Sequence, residues 1–210
     1  GDKISTDFSY NISTNFSYNK NNVESIGDKF DFTIFGNSGA NRTISDNSIG
    51  HFFGYTQTGI YQTTADLAKT PAFSTSRPGD ISFADLNKDG IINQDDRGYL
   101  GTPFPPVSFG GAINLNYKAF DFTLEGQGVA GNKIYTQRRN ANFAVLNYES
   151  NRLNAWTAAG STNVEPILDN TRGNNYLFSS YFLEPGDYFR IRTLQLGYNF
   201  TKPTLSNIGI

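Results

Sequence analysis

The sequence predicts an all-β chain that forms part of a large antiparallel transmembrane β-barrel with long loops. Three observations carry this. Residues 4–18 alternate between Ile4, Thr6, Phe8, Tyr10, Ile12, Thr14, Phe16 and Tyr18 on one parity and Ser, Asp or Asn on the other, the period-two template of a strand. Aromatic residues make up 15% of the 210 residues and charged residues only 17%, against roughly 25% charged in soluble domains. No run of about 18 apolar residues exists to form a transmembrane helix, whereas a barrel strand needs only one greasy face and one wet face.

Each element follows in chain order. Residues 4–18 form the first strand, longer than the five or six residues usual in soluble sheets. Residues 30–35 read as a short strand and residues 36–47, rich in Gly, Asn and Ser, as a loop. Residues 51–61 (HFFGYTQTGIY) are strand-like, with Gly54 and Gly59 marking bulges or close backbone approach. Residues 64–69 suit one helical turn, and residues 71–106 read as a long loop. A hairpin follows. Val107, Phe109, Ile113, Leu115 and Tyr117 share a face, Lys118 and Ala119 make the turn, and Phe120, Phe122 and Leu124 resume that face. Residues 131–186 have no sustained period and form a second long loop. Residues 188–200 are the last strand, with Leu194, Leu196, Tyr198 and Phe200 opposite Thr193, Gln195, Gly197 and Asn199; Pro203 ends it. Simple alternation places Arg190 and Arg192 on the face of Leu194. The whole of residues 1–210 is expected to be one partial outer-membrane barrel domain. These strands would leave edges open in lipid, so the segment needs the rest of its barrel.

Several functions are excluded or disfavoured. The 17 basic and 19 acidic residues leave no basic footprint for nucleic acid. Cys is absent, which removes disulfides and thiolate-bound zinc. His51 is the single His, so a Ser/His/Asp triad has no conventional base; it reads as a strand-end residue. The adjacent Asp95 and Asp96 do not make a hydrolase pair. No catalytic constellation can be named, and the chain is expected not to be an enzyme. Trp156 and Tyr148 are candidates to stack on a sugar, although a lone loop aromatic more often packs.

One motif carries chemistry. Residues 85–96 read D-L-N-K-D-G-I-I-N-Q-D-D. Oxygen ligands at positions 1, 3 and 5 come from Asp85, Asn87 and Asp89, the Ile91 carbonyl supplies position 7, and Asp96 closes at position 12. Asn93 would act through a water. Gly90 permits the sharp turn, and Ile92 anchors the loop inward. Hard oxygen donors favour Ca²⁺, in a structural role. Asp at position 12 is shorter than the usual Glu, and an Asx-turn loop held by its own side chains is the alternative.

Three stretches in order resemble the SusC/RagA family of TonB-linked outer-membrane proteins. They are NISTNFSYNKNNV from Asn11, GDISFADLNKDGIINQDDRGYLGTPFPPVSFGGAINLNYKAFDFTLEGQGVAGNKIY from Gly79, and YFLEPGDYFRIRTLQLGYNF from Tyr181; GHFFGYTQTGIYQT adds a weaker link. The resemblance implies a TonB-dependent transporter barrel of about 22 strands with a plugged lumen, in the outer membrane of a Gram-negative bacterium. It implies import of glycans or peptides with a SusD-like surface lipoprotein, and TonB acting through an N-terminal part. The family's plug, TonB box and last strands have no counterpart here, so the chain is not expected to transport alone. The competing reading is a soluble carbohydrate-binding β-sandwich with a structural calcium loop.

Overall fold

The computed structural model describes residues 1–26, 39–136 and 150–200. The expected strand at residues 30–35, Tyr148 and Pro203 lie outside the described residues. In chain order the strands are β1 (Asp2–Lys3), β2 (Phe8–Tyr18), β3 (Asn41–Arg42), β4 (His51–Tyr55), β5 (Gln57–Ile60) and β6 (Ile81–Phe83). They continue as β7 (Arg97–Gly101), β8 (Val107–Tyr117), β9 (Phe120–Ala130), β10 (Lys133–Tyr135), β11 (Leu183–Pro185) and β12 (Tyr188–Tyr198). One helical turn, α1 (Thr64–Leu67), starts from a capping box in which Thr63 and Asp66 bond each other's backbone. Among the described residues no helix is long and apolar enough to cross a membrane, which says nothing about strands.

The chain divides into two units. The sheet unit comprises Gly1–Lys20, Phe104–Asn132 and Gly186–Ile210. Its sheet has the order β1-β2-β8-β9-β12, antiparallel throughout. The four long strands have 11 residues each, enough to cross a bilayer at about 9–11 residues per tilted strand. The first strand is shorter than alternation predicts. Ser5 Oγ accepts the Asp7 and Phe8 amides, and the Ile4 amide bonds Phe8 O, so the chain turns and β1 runs back along β2. Local Ser hydrogen bonding has overridden the period.

Register fixes the two faces. Ile12 faces Ile113, Ile113 faces Leu124, and Leu124 faces Leu194 across four strands. One residue along, Asn11, Asn114, Thr123 and Gln195 form the parallel polar row. Thr123 Oγ1 donates to Asn114 Oδ1 at 3.0 Å within it. The apolar face is uncovered: Ile12 is 54% exposed, Phe16 71%, Leu194 69% and Leu196 73%. A β-sandwich would bury such a face against a second sheet, so the sandwich reading is overturned.

The loop unit comprises Asn21–Pro103 and Lys133–Pro185. Residues 71–106, expected to be irregular, contain β6, β7 and a 3-10 turn at Gln94–Asp96. Residues 36–47 hold β3, paired with β4. The strand-like run 51–61 breaks at Thr56, not at its glycines. Gly59 sits at a register shift, while a Cβ on Gly54 would meet Phe178 O. Tyr55, Ile60, Ile81, Phe83, Ile92, Tyr181 and Phe182 form a buried core, with Trp156 packed against it. Both supposed loops contribute, because neither is apolar enough alone to close a core.

Candidate functional site

The turn at residues 85–96 is built by carboxylates and amides bonding the backbone. Asp85 Oδ1 accepts the Lys88 amide at 2.6 Å and Oδ2 the Gly90 amide at 2.9 Å. Asn87 Oδ1 accepts from the Asp89 amide, and Asp89 Oδ1 from the Ile91 amide, each at 3.0 Å. Asp89 Oδ2 receives the side-chain amides of Asn87 and Asn93. The Ile91 amide, followed by the Asn87 side chain, holds the Asp89 carboxyl below its ordinary value. Gly90 takes φ 87°, the left-handed conformation that glycine adopts at no steric cost.

Asp96 ties the loop's ends. It is fully buried; Oδ1 accepts the Leu86 amide at 2.9 Å and Oδ2 the Asn93 amide at 2.8 Å. Ile92 enters the core, as the pattern predicts, while Ile91 stays exposed. Among the described residues no three His, Asp or Glu side chains converge closely enough to enclose an ion by themselves. The donor chemistry still fits a hard cation: each carboxylate oxygen that accepts one N–H keeps a second lone pair.

Two polar clusters in the loop unit had no sequence signal. Asp80, 1% exposed, accepts from the Arg77 amide, Arg172 Nη1 at 3.0 Å and Asn175 Nδ2 at 3.2 Å. Asn175 in turn accepts the Ile81 amide. Tyr181 donates its hydroxyl to Glu165 at 2.5 Å, with Arg152 3.8 Å from the same carboxylate. These groups lie far apart in sequence, so no local spacing reveals them. Trp156 packs, its Nε1 donating to Gln62 Oε1 at 3.1 Å. His51 opens β4, fully buried. Its Nδ1 donates to Ser48 O at 2.8 Å, since a carbonyl can only accept, and Nε2 has no partner among the described residues.

The sheet unit corrects the placement of the arginines. The β9–β12 register shifts between Ile191 and Thr193. Before this bulge Arg190 faces Gln127 and Ile191 faces Gly126; after it Thr193 faces Glu125 and Leu194 faces Leu124. Arg190 therefore lies on the polar face and not with Leu194. Arg192, the extra residue, lines the polar face with Ser13, Asn15 and Gln127. On the apolar face a Cβ at Gly126 would stand 2.7 Å from Phe189 Cζ, and one at Gly128 would stand 2.5 Å from Phe109 Cζ.

No family model matches the chain. Among curated proteins it is 30% identical over 213 residues to TonB-dependent receptor P3 of Formosa agariphila, covering 97% of this chain and 21% of that one. It is 25% identical over 203 residues to TonB-dependent receptor SusC of Bacteroides thetaiotaomicron, covering 94% and 19%. A solved structure of the RagAB peptide transporter superposes with a TM-score of 0.72 at 16% identity, over 99% of this chain and 22% of that one. The chain thus spans about a fifth of the length of the curated relatives it matches. Its fold is that of a section of such a transporter barrel, with sheets that do not close by themselves.

Proposed function

Because this chain belongs to the SusC/RagA family of TonB-linked outer-membrane proteins, we propose that it supplies wall strands and extracellular loops to an outer-membrane importer. The cargo is a glycan or a peptide. A SusD-like lipoprotein and TonB act with the whole protein, which is a transporter and not an enzyme.

The two-faced sheet carries this reading. Four strands of membrane-spanning length present an uncovered apolar face and a continuous polar one, as lipid and a wet lumen require. The bulge at Arg192 agrees: an Arg on the lipid face at the bilayer midplane costs about 2–4 kcal/mol, and the shift takes both arginines off that face. Single-Cys labelling of the whole barrel tests it. A water-soluble probe is expected to reach Asn11, Ser13, Asn15, Asn114, Asn116, Thr123, Gln195 and Asn199. Phe8, Tyr10, Ile12, Phe16, Ile113, Leu115, Phe122, Leu124, Leu196 and Tyr198 should be reached only from lipid. Equal labelling of both sets defeats the assignment.

The orientation follows from the connections. The turns before Phe8 and at Lys118 and Ala119 lie at one end of the sheet. Residues 19–106 and 131–187 leave from and return to the other. Short turns in such barrels are periplasmic, so the 85–96 loop is extracellular. There Asp85, Asn87, Asp89, the Ile91 carbonyl and Asp96 would hold Ca²⁺, which would order the loop. Proteolysis of intact cells with and without chelator is the check. Cleavage near residues 85–96 should rise on chelation. Unchanged cleavage removes the metal, and cleavage seen only after the outer membrane is opened reverses the orientation.

A further inference from the structure

Asp-Gly occurs once in the sequence, at residues 89–90, and Asn-Gly does not occur. Both residues are exposed, and nothing stands within 4 Å of where a Gly90 Cβ would be. A glycine nitrogen, with no side chain beside it, is the least hindered nucleophile a main chain offers to the carboxyl before it. In this turn each of the two reactants is held by other groups. The Gly90 amide donates to Asp85 Oδ2 at 2.9 Å. Asp89 Oδ1 accepts the Ile91 amide at 3.0 Å, and Oδ2 accepts Asn87 Nδ2 at 2.9 Å and Asn93 Nδ2 at 3.2 Å. Lys88 and Gly90 have φ of 61° and 87°, so the backbone is left-handed on both sides of Asp89.

We propose that Asp89–Gly90 is a site of spontaneous isoaspartate formation that these hydrogen bonds hold in check, with Asp85 as a positioning residue. In the reaction the Gly90 nitrogen bonds to Asp89 Cγ. One carboxylate oxygen leaves as water, taking the N–H proton and a proton from solvent. The five-membered imide then takes up water. Cleavage of its N–Cγ bond restores Asp89; cleavage between the nitrogen and the Asp89 carbonyl carbon gives isoaspartate. No oxidant or cofactor enters, and the overall mass is unchanged. The product runs its main chain through Cβ and Cγ, one atom longer, and leaves the free carboxylate on Cα. The acceptor that gathers Ile91, Asn87 and Asn93 is thereby displaced, and the turn loses its centre. Cyclisation must first draw the Asp89 carboxylate from its three donors and the Gly90 amide from Asp85. Hydrogen bonds to an ionised group are the strong ones, so ring closure waits on a local opening that a free peptide does not need.

The test is ageing of the whole protein at neutral pH, with chelator present so that the outcome does not depend on a bound cation. Isoaspartate at residue 89 is read by electron-transfer fragmentation of the peptide that carries it. A synthetic peptide of residues 79–97 gives the unrestrained rate. The folded protein should form isoaspartate severalfold more slowly than the peptide. Asp85→Ala should raise the protein's rate severalfold and speed hydrogen exchange of the Gly90 amide, while the Ile81 amide stays protected. Asn87→Ala, which removes one exposed donor to Asp89, should raise the rate by less. Equal rates in protein and peptide overturn the proposal, because the turn then restrains nothing. An unchanged or slower rate in Asp85→Ala also overturns it, since Asp85 then does not hold the nitrogen back. If Asp85→Ala exposes the Ile81 amide as well, the core has opened with the turn and Asn87→Ala decides; a wild-type rate there overturns the proposal.

Discussion

Phe16 in the sheet unit is 71% exposed, and Phe182 in the loop unit is 1% exposed. Both are aromatic, and each has a Tyr close by in sequence, Tyr18 and Tyr181. The sheet unit sets Phe16, Tyr18 and Phe189 exposed on its apolar face. The loop unit turns Tyr55, Phe83, Tyr181 and Phe182 toward one another. The contrast teaches that aromatic content does not report where a core lies. Pattern does: strict alternation serves two solvents, and irregular spacing serves a closed interior.

The comparison breaks most sharply at Phe182. Phe182→Ala in the whole protein should cost the loop unit about 3–5 kcal/mol through the cavity it leaves. Hydrogen exchange should rise across β5, β6 and residues 177–182 while β8 and β9 stay protected. Equal loss of protection in both units would mean that they unfold as one. Next comes Asp80→Asn, which removes the charge that Arg172 and Asn175 address. It should cost about 2 kcal/mol, as hydrogen bonds to a charged group do, with a lowered unfolding midpoint seen by the exchange of the Ile81 amide. In the sheet unit the corresponding change is Gly126→Ala, whose Cβ would displace the Phe189 ring. About 1 kcal/mol is expected from such crowding, read as a lower melting temperature of the barrel with the loop unit's exchange unchanged.

The smallest expected effect is one of pH and belongs to the loop unit. Burial first, and Arg42 nearby, lower the His51 value below 6.5, against a raising bond from Ser48. A group with a folded value below its unfolded one binds fewer protons when folded. Stability from the neutral ring is therefore complete above about 6.5 and declines as pH falls below it. Acidification from neutral to pH 5 should lower the protection of β3 and β4 relative to the intrinsic exchange rate at each pH. His51→Phe, which fills the ring's space without titrating, should flatten that dependence; an unchanged slope would locate the titration elsewhere.

Much of the sheet unit was legible in the sequence because its rule is local. Alternation at Ile113, Leu115, Phe122 and Leu124 gives the hairpin and its faces, and in the loop unit Gly90 with its acidic neighbours gives the turn at residues 85–96. Two things broke the rule. Ser5 captured amides and ended β2 at Phe8, and Arg192 entered as an extra residue and inverted the parity of Tyr188 to Ile191. Neither a side-chain turn nor a bulge changes composition, so alternation alone cannot detect it. Residues 71–106 and 131–186 read as loops because the core they help to build is assembled from both. Asp80 meets Arg172, and Gln62 meets Trp156, only after the chain has come back.

That separation in sequence sets a clock. The Gln57 amide bonds Ser180 Oγ across 123 residues, and Ile60 bonds Asn163 across 103. Between the two halves lies the hairpin of β8 and β9. The first half holds its own short pairings, β3–β4, β4–β7 and β5–β6, but Tyr181 and Phe182, which complete its core, lie beyond the hairpin, and that long separation costs entropy before the contact repays it. The hairpin, with a two-residue turn, closes in microseconds on its own. Wall strands can thus pair before Tyr181 and Phe182 reach the core of the loop unit, which is complete only when residue 182 has arrived.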